Sequence, residues 1–151
     1  MPDFHAFTLS SSGLLRAIVT EARISLAFNP ANAPMPTPPL RAFQAIWDTG
    51  ATGSVISQRV VDECHLKPVG ITQVSTAAGI FLCEVYMINI FLPNEVGFPN
   101  VTVTRANMGT TDVLIGMDLI NKGDFAITHP KGQTVFSFRY PSMATIDFRT
   151  S

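Results

Sequence analysis

Apolar and polar residues alternate along much of this chain. Over residues 15–28, Ile18, Ile24, Leu26 and Phe28 fall on even positions with Val19 and Arg23 opposite, the two-residue period of a strand with one buried face. Residues 40–47 (LRAFQAIW) read as another strand, whose nearly continuous apolar end predicts burial on both faces as it enters Asp48-Thr49-Gly50. Ser57 is placed to cap a short helix over residues 58–66, with Val60, Val61 and Cys64 on one face and Pro68 preventing continuation. Residues 69–76 and 80–92 predict a long hairpin turning at Ala77-Ala78-Gly79, with Ile80, Leu82, Tyr86, Ile88 and Ile90 on one side. A strand over 101–105, an apolar strand end over 112–116, a short helix over 118–122 stopped by Gly123, and a hairpin of 125–128 with 134–140 complete the reading. The sum is all-β with one or two short helices, no internal repeat, and a single domain spanning 1–151.

Residues 29–39 (NPANAPMPTPP) interrupt this pattern with five of the eleven prolines. Few backbone donors remain there, so the segment is a loop leaning towards polyproline II. Its composition suits an SH3-type ligand or an insertion in a hairpin, and the insertion is the reading adopted.

Composition narrows the classes. The 151 residues are 46% hydrophobic and 14% charged, against roughly a quarter charged in ordinary soluble domains, so the chain folds and has apolar surface that a partner can cover. Ten Lys and Arg against eleven Asp and Glu give a net charge of -1, which leaves no electrostatic footprint for nucleic acid or an anionic membrane. Cys64 and Cys83 form no CxxC pair, and a reduced, cytoplasmic chain is expected. No secretory signal is visible at Met1-Pro2-Asp3-Phe4-His5, and the uncharged stretch 24–40 carries five prolines and cannot cross a bilayer as a helix. His5, His65 and His129 lack the spacing of a metal site, so no metal or cofactor is expected.

The candidate chemistry lies at Asp48-Thr49-Gly50-Ala51. An ionised carboxylate at the end of an apolar strand is costly unless it is hydrogen-bonded or functional. Thr49 brings a hydroxyl to the turn, and Gly50 lets a backbone N–H approach the carboxylate. Alone, the string is also what an ordinary Asx turn looks like. Downstream, Asp112-Val113-Leu114-Ile115-Gly116-Met117-Asp118 places two apolar residues before a glycine.

Together the two strings resemble the retropepsin-like aspartic proteases, over roughly residues 40–140, and the bacterial, homodimeric, single-DTG type in particular. The resemblance implies one lobe per chain of an acid protease fold, with a flap hairpin whose Ala77, Ala78 and Gly79 sit over bound peptide. It implies Asp48 as catalytic acid and base, Thr49 bracing the two active-site loops, and Gly50 supporting the backbone there. Ala51, Leu114, Ile115 and Gly116 would support the site from beneath. Asp118 opens a short helix in that family, so it, Asp112 and Asp124 are assigned cap or ion-pair roles. Such chemistry needs two carboxylates sharing a proton, and one chain supplies a single DTG, so the expectation is a homodimer cleaving peptide or protein substrates. One departure is Thr52, where retroviral members carry a further acid.

Two other readings fit the same residues. Asp48-Thr49-Gly50-Ala51-Thr52 also looks like the D-x-G-x-T phosphate loop of the actin and sugar-kinase superfamily, which needs two α/β lobes that this chain has no room for. The other is a non-catalytic dimeric module of the same fold that binds peptides or acts as a scaffold.

Overall fold

The computed structural model describes residues 3–150. Met1, Pro2 and Ser151, part of the predicted domain span, lie outside the described residues. Ten strands and two short helices follow in the order β1 His5–Ser10, β2 Val19–Leu26, β3 Arg41–Trp47, β4 Val55–Ile56, α1 Gln58–Glu63, β5 Gly70–Thr76, β6 Gly79–Leu92, β7 Val96–Arg105, β8 Val113–Ile115, α2 Met117–Ile120, β9 Asp124–Thr128 and β10 Val135–Tyr140.

Seven strands form one sheet in the order β2-β3-β8-β4-β7-β6-β5, and β2 also pairs with β6. That extra pairing, Arg23 with Phe91 through Leu26 with Ile88, closes six of the strands into a barrel and leaves β5 on the outside as the partner of the first half of β6. Closure removes the free edges that a six-stranded open sheet would present. The barrel fills with inward side chains: Ala22, Ile24, Ala45, Ile56, Val60, Ile88, Ile90, Val96, Val113 and Ile115 are all fully buried.

A three-stranded sheet, β1-β10-β9, covers one end. Between it and the barrel lies an aromatic cluster centred on Trp47, whose ring is 4.9 Å from Phe136 and 5.0 Å from Phe138, with Phe7 and Phe125 around it. The indole N–H donates to the buried Thr20 hydroxyl at 2.9 Å, so a large ring is buried without stranding its polar atom.

Several expectations change. Strand β1 carries no strong pattern and was not predicted. It is held by its ladder to β10, 130 residues away, and by Phe7 in the aromatic cluster. The alternation read from residue 15 becomes a strand only at Val19, because residues 11–18 are tied to Thr134 instead: Thr134 N–H donates to Gly13 O, and Leu15 N–H to the Thr134 hydroxyl. Leu26 is exposed although it falls on the buried parity, since it lies at the strand's end. Strand β3 is exposed at Arg41, Ala42 and Gln44, while its last three residues, Ala45, Ile46 and Trp47, are buried or half-buried together, so both faces are covered where it enters Asp48, as its apolar end predicts. Helix α1 is capped by Ser57 as predicted but ends at Glu63, followed by His65 at φ 53. Strand β7 starts five residues earlier than expected. The proline-rich segment is indeed the connection of the antiparallel β2–β3 pair.

The most consequential pairing is that of β8. Strands β3 and β4 are neighbours in sequence, joined by residues 48–54, yet they do not pair with each other. β8 lies between them, parallel to β3 and antiparallel to β4. Its continuation passes under the connecting loop at Gly116, where a Cβ would stand 2.7 Å from Gly53 O and 3.0 Å from Ala51 O. Both obstacles are backbone, which cannot rotate aside, so the crossing is possible only for glycine.

Chain past β10 is tied back through Asp124. Its carboxylate takes hydrogen bonds from Met143 N–H, the Ser142 hydroxyl and both Nε and Nη2 of Arg139. These donors, the Met143 amide foremost, hold its pKa down at about 2.

Gly116→Ala is expected to lose about 1–3 kcal/mol or more of stability by urea denaturation, the cost of forcing volume into a packed crossing; an unchanged unfolding midpoint would contradict the threading. For Asp124, the group is more acidic folded than unfolded, so its contribution is complete above about pH 4 and disappears as pH falls through about 2. Melting temperatures of the wild type and Asp124→Asn are therefore expected to differ above pH 5 and to converge towards pH 2; a gap that widens on acidification would contradict this.

Candidate active site

Asp48 follows the last residue of β3, and its position is set by backbone. Its N–H donates to Ile115 O on β8 at 2.9 Å, and Ala51 N–H donates to Asp48 O at 3.2 Å, closing a tight turn. The carboxylate oxygen Oδ1 accepts from Gly50 N–H at 2.8 Å, and a side chain on Gly50 would start only 3.2 Å from that oxygen. The glycine thus permits the close approach of amide to carboxylate. Oδ2 accepts no hydrogen bond from the described residues, and the side chain is half-buried. Thr49 and Gly50 are exposed, and the Thr49 hydroxyl has no hydrogen-bond partner among the described residues.

Beneath the turn, the crossing strand is pinned to it. Met117 N–H donates to Ala51 O at 2.8 Å and Asp118 N–H to Thr52 O at 3.2 Å. Ser54, buried, receives Gly116 N–H on its hydroxyl at 3.1 Å and donates that hydroxyl to Asp118 Oδ1 at 2.8 Å, while its own N–H donates to Asp118 Oδ2 at 3.0 Å. Asp118 Oδ1 also accepts from Leu119 N–H at the start of α2. Asp118 is therefore a clamp between α2 and the loop, with its two oxygens committed to Ser54. Asp112 pairs with Arg59 at 2.7 Å and accepts from the Ser57 hydroxyl. Ile115 and Gly116 are buried and Leu114 is half-buried under the turn.

A cavity of about 410 Å³ opens beside Asp48, walled by Leu15, Ile18, Trp47, Thr49, Phe125 and Ile127, with Arg16 and His129 at its rim. Asp48 is the one acid in its lining. A larger hollow of about 600 Å³ on the barrel's flank holds Arg59, Arg105 and Asp112 but not Asp48; Arg59 pairs with Asp112 at 2.7 Å, and Arg105 lies 3.6 Å from Glu84 with its buried Nε making no hydrogen bond among the described residues. Chemistry therefore points to the smaller cavity. Among the described residues no three His, Cys, Asp or Glu side chains gather as a metal site would require.

Strands β5 and β6 project as the predicted hairpin, in register from Gly70 with Val85 to Thr76 with Gly79, so the turn itself is Ala77-Ala78. Gly79, at φ 129, adopts a backbone conformation that favours glycine, and the Thr76 hydroxyl accepts from Ala78 N–H and donates to Gly79 O. Ile80 and Leu82 share the parity of Tyr86, Ile88 and Ile90 as predicted, but the first two stand free at 70% and 74% exposure because this half of β6 extends beyond the barrel. Ala77, Ala78 and Gly79 are not walls of the Asp48 cavity. Sequence reasoning missed the role of Ser54, whose small hydroxyl gave no signal of its partners, and it missed the wall from residues 15–18. Cys64 is buried, and burial raises its thiol pKa to about 11, in keeping with a packing role.

The model for the family described as "gag-polyprotein putative aspartyl protease" matches residues 41–122, more than half of the chain. No curated protein matches the sequence. Among solved structures, the chain is similar to a retropepsin-like aspartic protease from Rickettsia conorii, with 10% identity, 93% of this chain and 98% of that one covered, and a TM-score of 0.56. Weaker similarities are to the Simian Foamy Virus (mac) protease, at 16% identity, 69% and 92% coverage and TM-score 0.45, and to the retroviral protease-like domain of Ddi1 from Leishmania major, at 14% identity, 78% and 93% coverage and TM-score 0.43. The all-β architecture is that of the retropepsin fold, and with the family match spanning β3 to the end of α2, the chain belongs to the retropepsin-like aspartic proteases.

Proposed function

We propose that this chain is one half of an aspartic endopeptidase, a single domain that hydrolyses peptide bonds when two copies bring their Asp48 carboxylates together. The observation that carries this reading is the state of Asp48 itself: held rigidly by Gly50 N–H on one oxygen, open on the other, and alone among acids in its cavity. Such a group is half of a dyad. In the pair, the ionised carboxylate takes a proton from water as its oxygen attacks the peptide carbonyl carbon, and the protonated one hydrogen-bonds the carbonyl oxygen as charge develops there. Proton delivery to the amide nitrogen then lets the C–N bond break, giving a carboxylic acid and an amine. The two protonation steps belong to the couple and not to either chain. Asp48, Thr49 and Gly50 carry the catalytic turn, Ala51, Leu114, Ile115 and Gly116 support it, and Ala77, Ala78 and Gly79 cover the substrate. No cofactor takes part in this scheme.

Pairing has a natural place. β9 is one of the two edge strands of the β1-β10-β9 sheet, with one row of backbone groups unpaired, and it is the one whose side chains, Phe125 and Ile127, belong to the wall of the Asp48 cavity. A second copy added at that edge lands beside Asp48, where the unpartnered Thr49 hydroxyl is exposed to meet it. The free hairpin, apolar on both faces with Ile71, Ile80, Phe81 and Leu82 exposed, supports a role in covering a peptide. Among the described residues no helix is long and apolar enough to cross a membrane.

Wild-type protein and Asp48→Asn, incubated with a diverse peptide library at acidic and neutral pH with and without a statine-type inhibitor, are expected to differ in cleavage by about 10²–10⁴-fold, the span typical of acid–base catalysis. Cleavage that persists in Asp48→Asn overturns the assignment, and absence of cleavage by the wild type under all conditions favours the peptide-binding reading. Ile127→Lys, which places a charge on the β9 edge, is expected to shift the sedimenting species from dimer towards monomer while the far-ultraviolet circular dichroism spectrum of the folded chain is retained; a wild type that is monomeric while active contradicts the shared dyad.

A further inference from the structure

The connection between β2 and β3 is longer than a hairpin needs, and nothing described so far uses it. Its last part reads Pro36-Thr37-Pro38-Pro39-Leu40-Arg41. In polyproline II, with about three residues per turn, Pro36 and Pro39 fall on one face. Arg41 follows two residues later, the first charged residue after a run of neutral ones from Ile24 to Leu40.

Three features of the structure bear on what this segment does. Pro36, Thr37, Pro39, Leu40 and Arg41 are exposed, Leu40 at 44%, with only Pro38 half-buried. The hydrogen bonds made within residues 30–40 are local, Ala31 and Asn32 N–H to Asn29 and the Thr37 hydroxyl to Pro34 O, so the segment does not brace the barrel. Arg41 forms no ion pair and no side-chain hydrogen bond among the described residues, in contrast to Arg23, Arg59, Arg139 and Arg149, each of which holds a carboxylate. An insertion kept only for chain reversal has no reason to present a Pro-x-x-Pro spacing, an exposed leucine and an uncommitted cation in succession.

We propose that residues 36–41 are a docking segment for an SH3-type module, a domain with an aromatic-walled groove for two prolines and an acidic pocket for the arginine. The groove takes Pro36 and Pro39, whose fixed φ lowers the entropy lost on binding, and the acidic pocket takes Arg41 and sets the direction of the chain. Charge favours this reader: the segment offers one cation and no anion. Its position also separates docking from chemistry. Arg41 and Asp48 lie at opposite ends of the seven-residue strand β3, on the order of 20 Å apart at the rise of an extended chain, so the docking residues themselves stand away from the Asp48 cavity. The docking segment would tether the protease chain to a partner without occupying its cleft.

The test immobilises the full chain and titrates it with a panel of purified SH3 domains and, separately, WW domains. At least one SH3 domain is expected to bind, with affinity reduced at least about tenfold in both Pro36→Ala/Pro39→Ala and Arg41→Glu. Arg41→Lys is expected to retain part of it, and the variants' melting temperatures are expected to match the wild type, since none of these side chains is packed in the core. Absence of SH3 binding, equal binding by the proline variant, or binding by WW domains alone overturns the proposal. The outcome is independent of whether Asp48 cleaves peptides.

Discussion

The structure depends on one backbone crossing. Loop 48–54 would be an ordinary connection if β3 and β4 paired with each other; the insertion of β8 between them turns it into a closed ring that a second segment traverses. At the crossing the separation is so small that Gly116 is the only residue type that passes. Everything chemically interesting is then fixed from below: Asp48 N–H on Ile115, Ala51 O on Met117, and Ser54 held in the grip of Asp118 and Gly116. A carboxylate on a surface turn would otherwise sample many orientations. Here the turn is held to the barrel by backbone hydrogen bonds, the preorganisation by rigid elements that the role proposed for Asp48 requires.

The same arrangement explains the division of labour among the acids. Asp112 and Asp124 are consumed by arginines, and Asp118 by Ser54 and the start of α2. These carboxylates hold structure. Asp48 differs because it accepts one backbone hydrogen bond and leaves an oxygen open in a cavity with no other acid. A chain with few charges and a hydrophobic fraction close to half keeps its apolar surplus in places where a partner could use it: the free hairpin, the β9 edge and the wall beside Thr49.

Legibility from sequence followed the range of the interactions. The capped helix at Ser57, the β5–β6 hairpin and the β9–β10 hairpin are local structures written in adjacent residues, and they stand where the pattern put them. Asp48-Thr49-Gly50 and Leu114-Ile115-Gly116 were readable as strings because close approach restricts both to few residue types. What escaped was long-range. β1 is a strand because of β10, and the closure of β2 onto β6 leaves no mark in either segment. Residues 11–18 alternate like a strand but are captured by Thr134, so pattern lost to tertiary hydrogen bonds. Ser54 matters through partners more than 60 residues distant, and a serine carries no signal of that kind.

The central claim is that Asp48 completes its chemistry only with its own counterpart from a second copy. A crystal structure of the assembled protein measures this directly. The account predicts the two Asp48 carboxyl groups across a twofold axis with oxygens at hydrogen-bonding distance, about 2.5–3.0 Å. An assembly in which they lie many ångströms apart, or in which another residue's carboxyl group is the neighbour of Asp48, would contradict it.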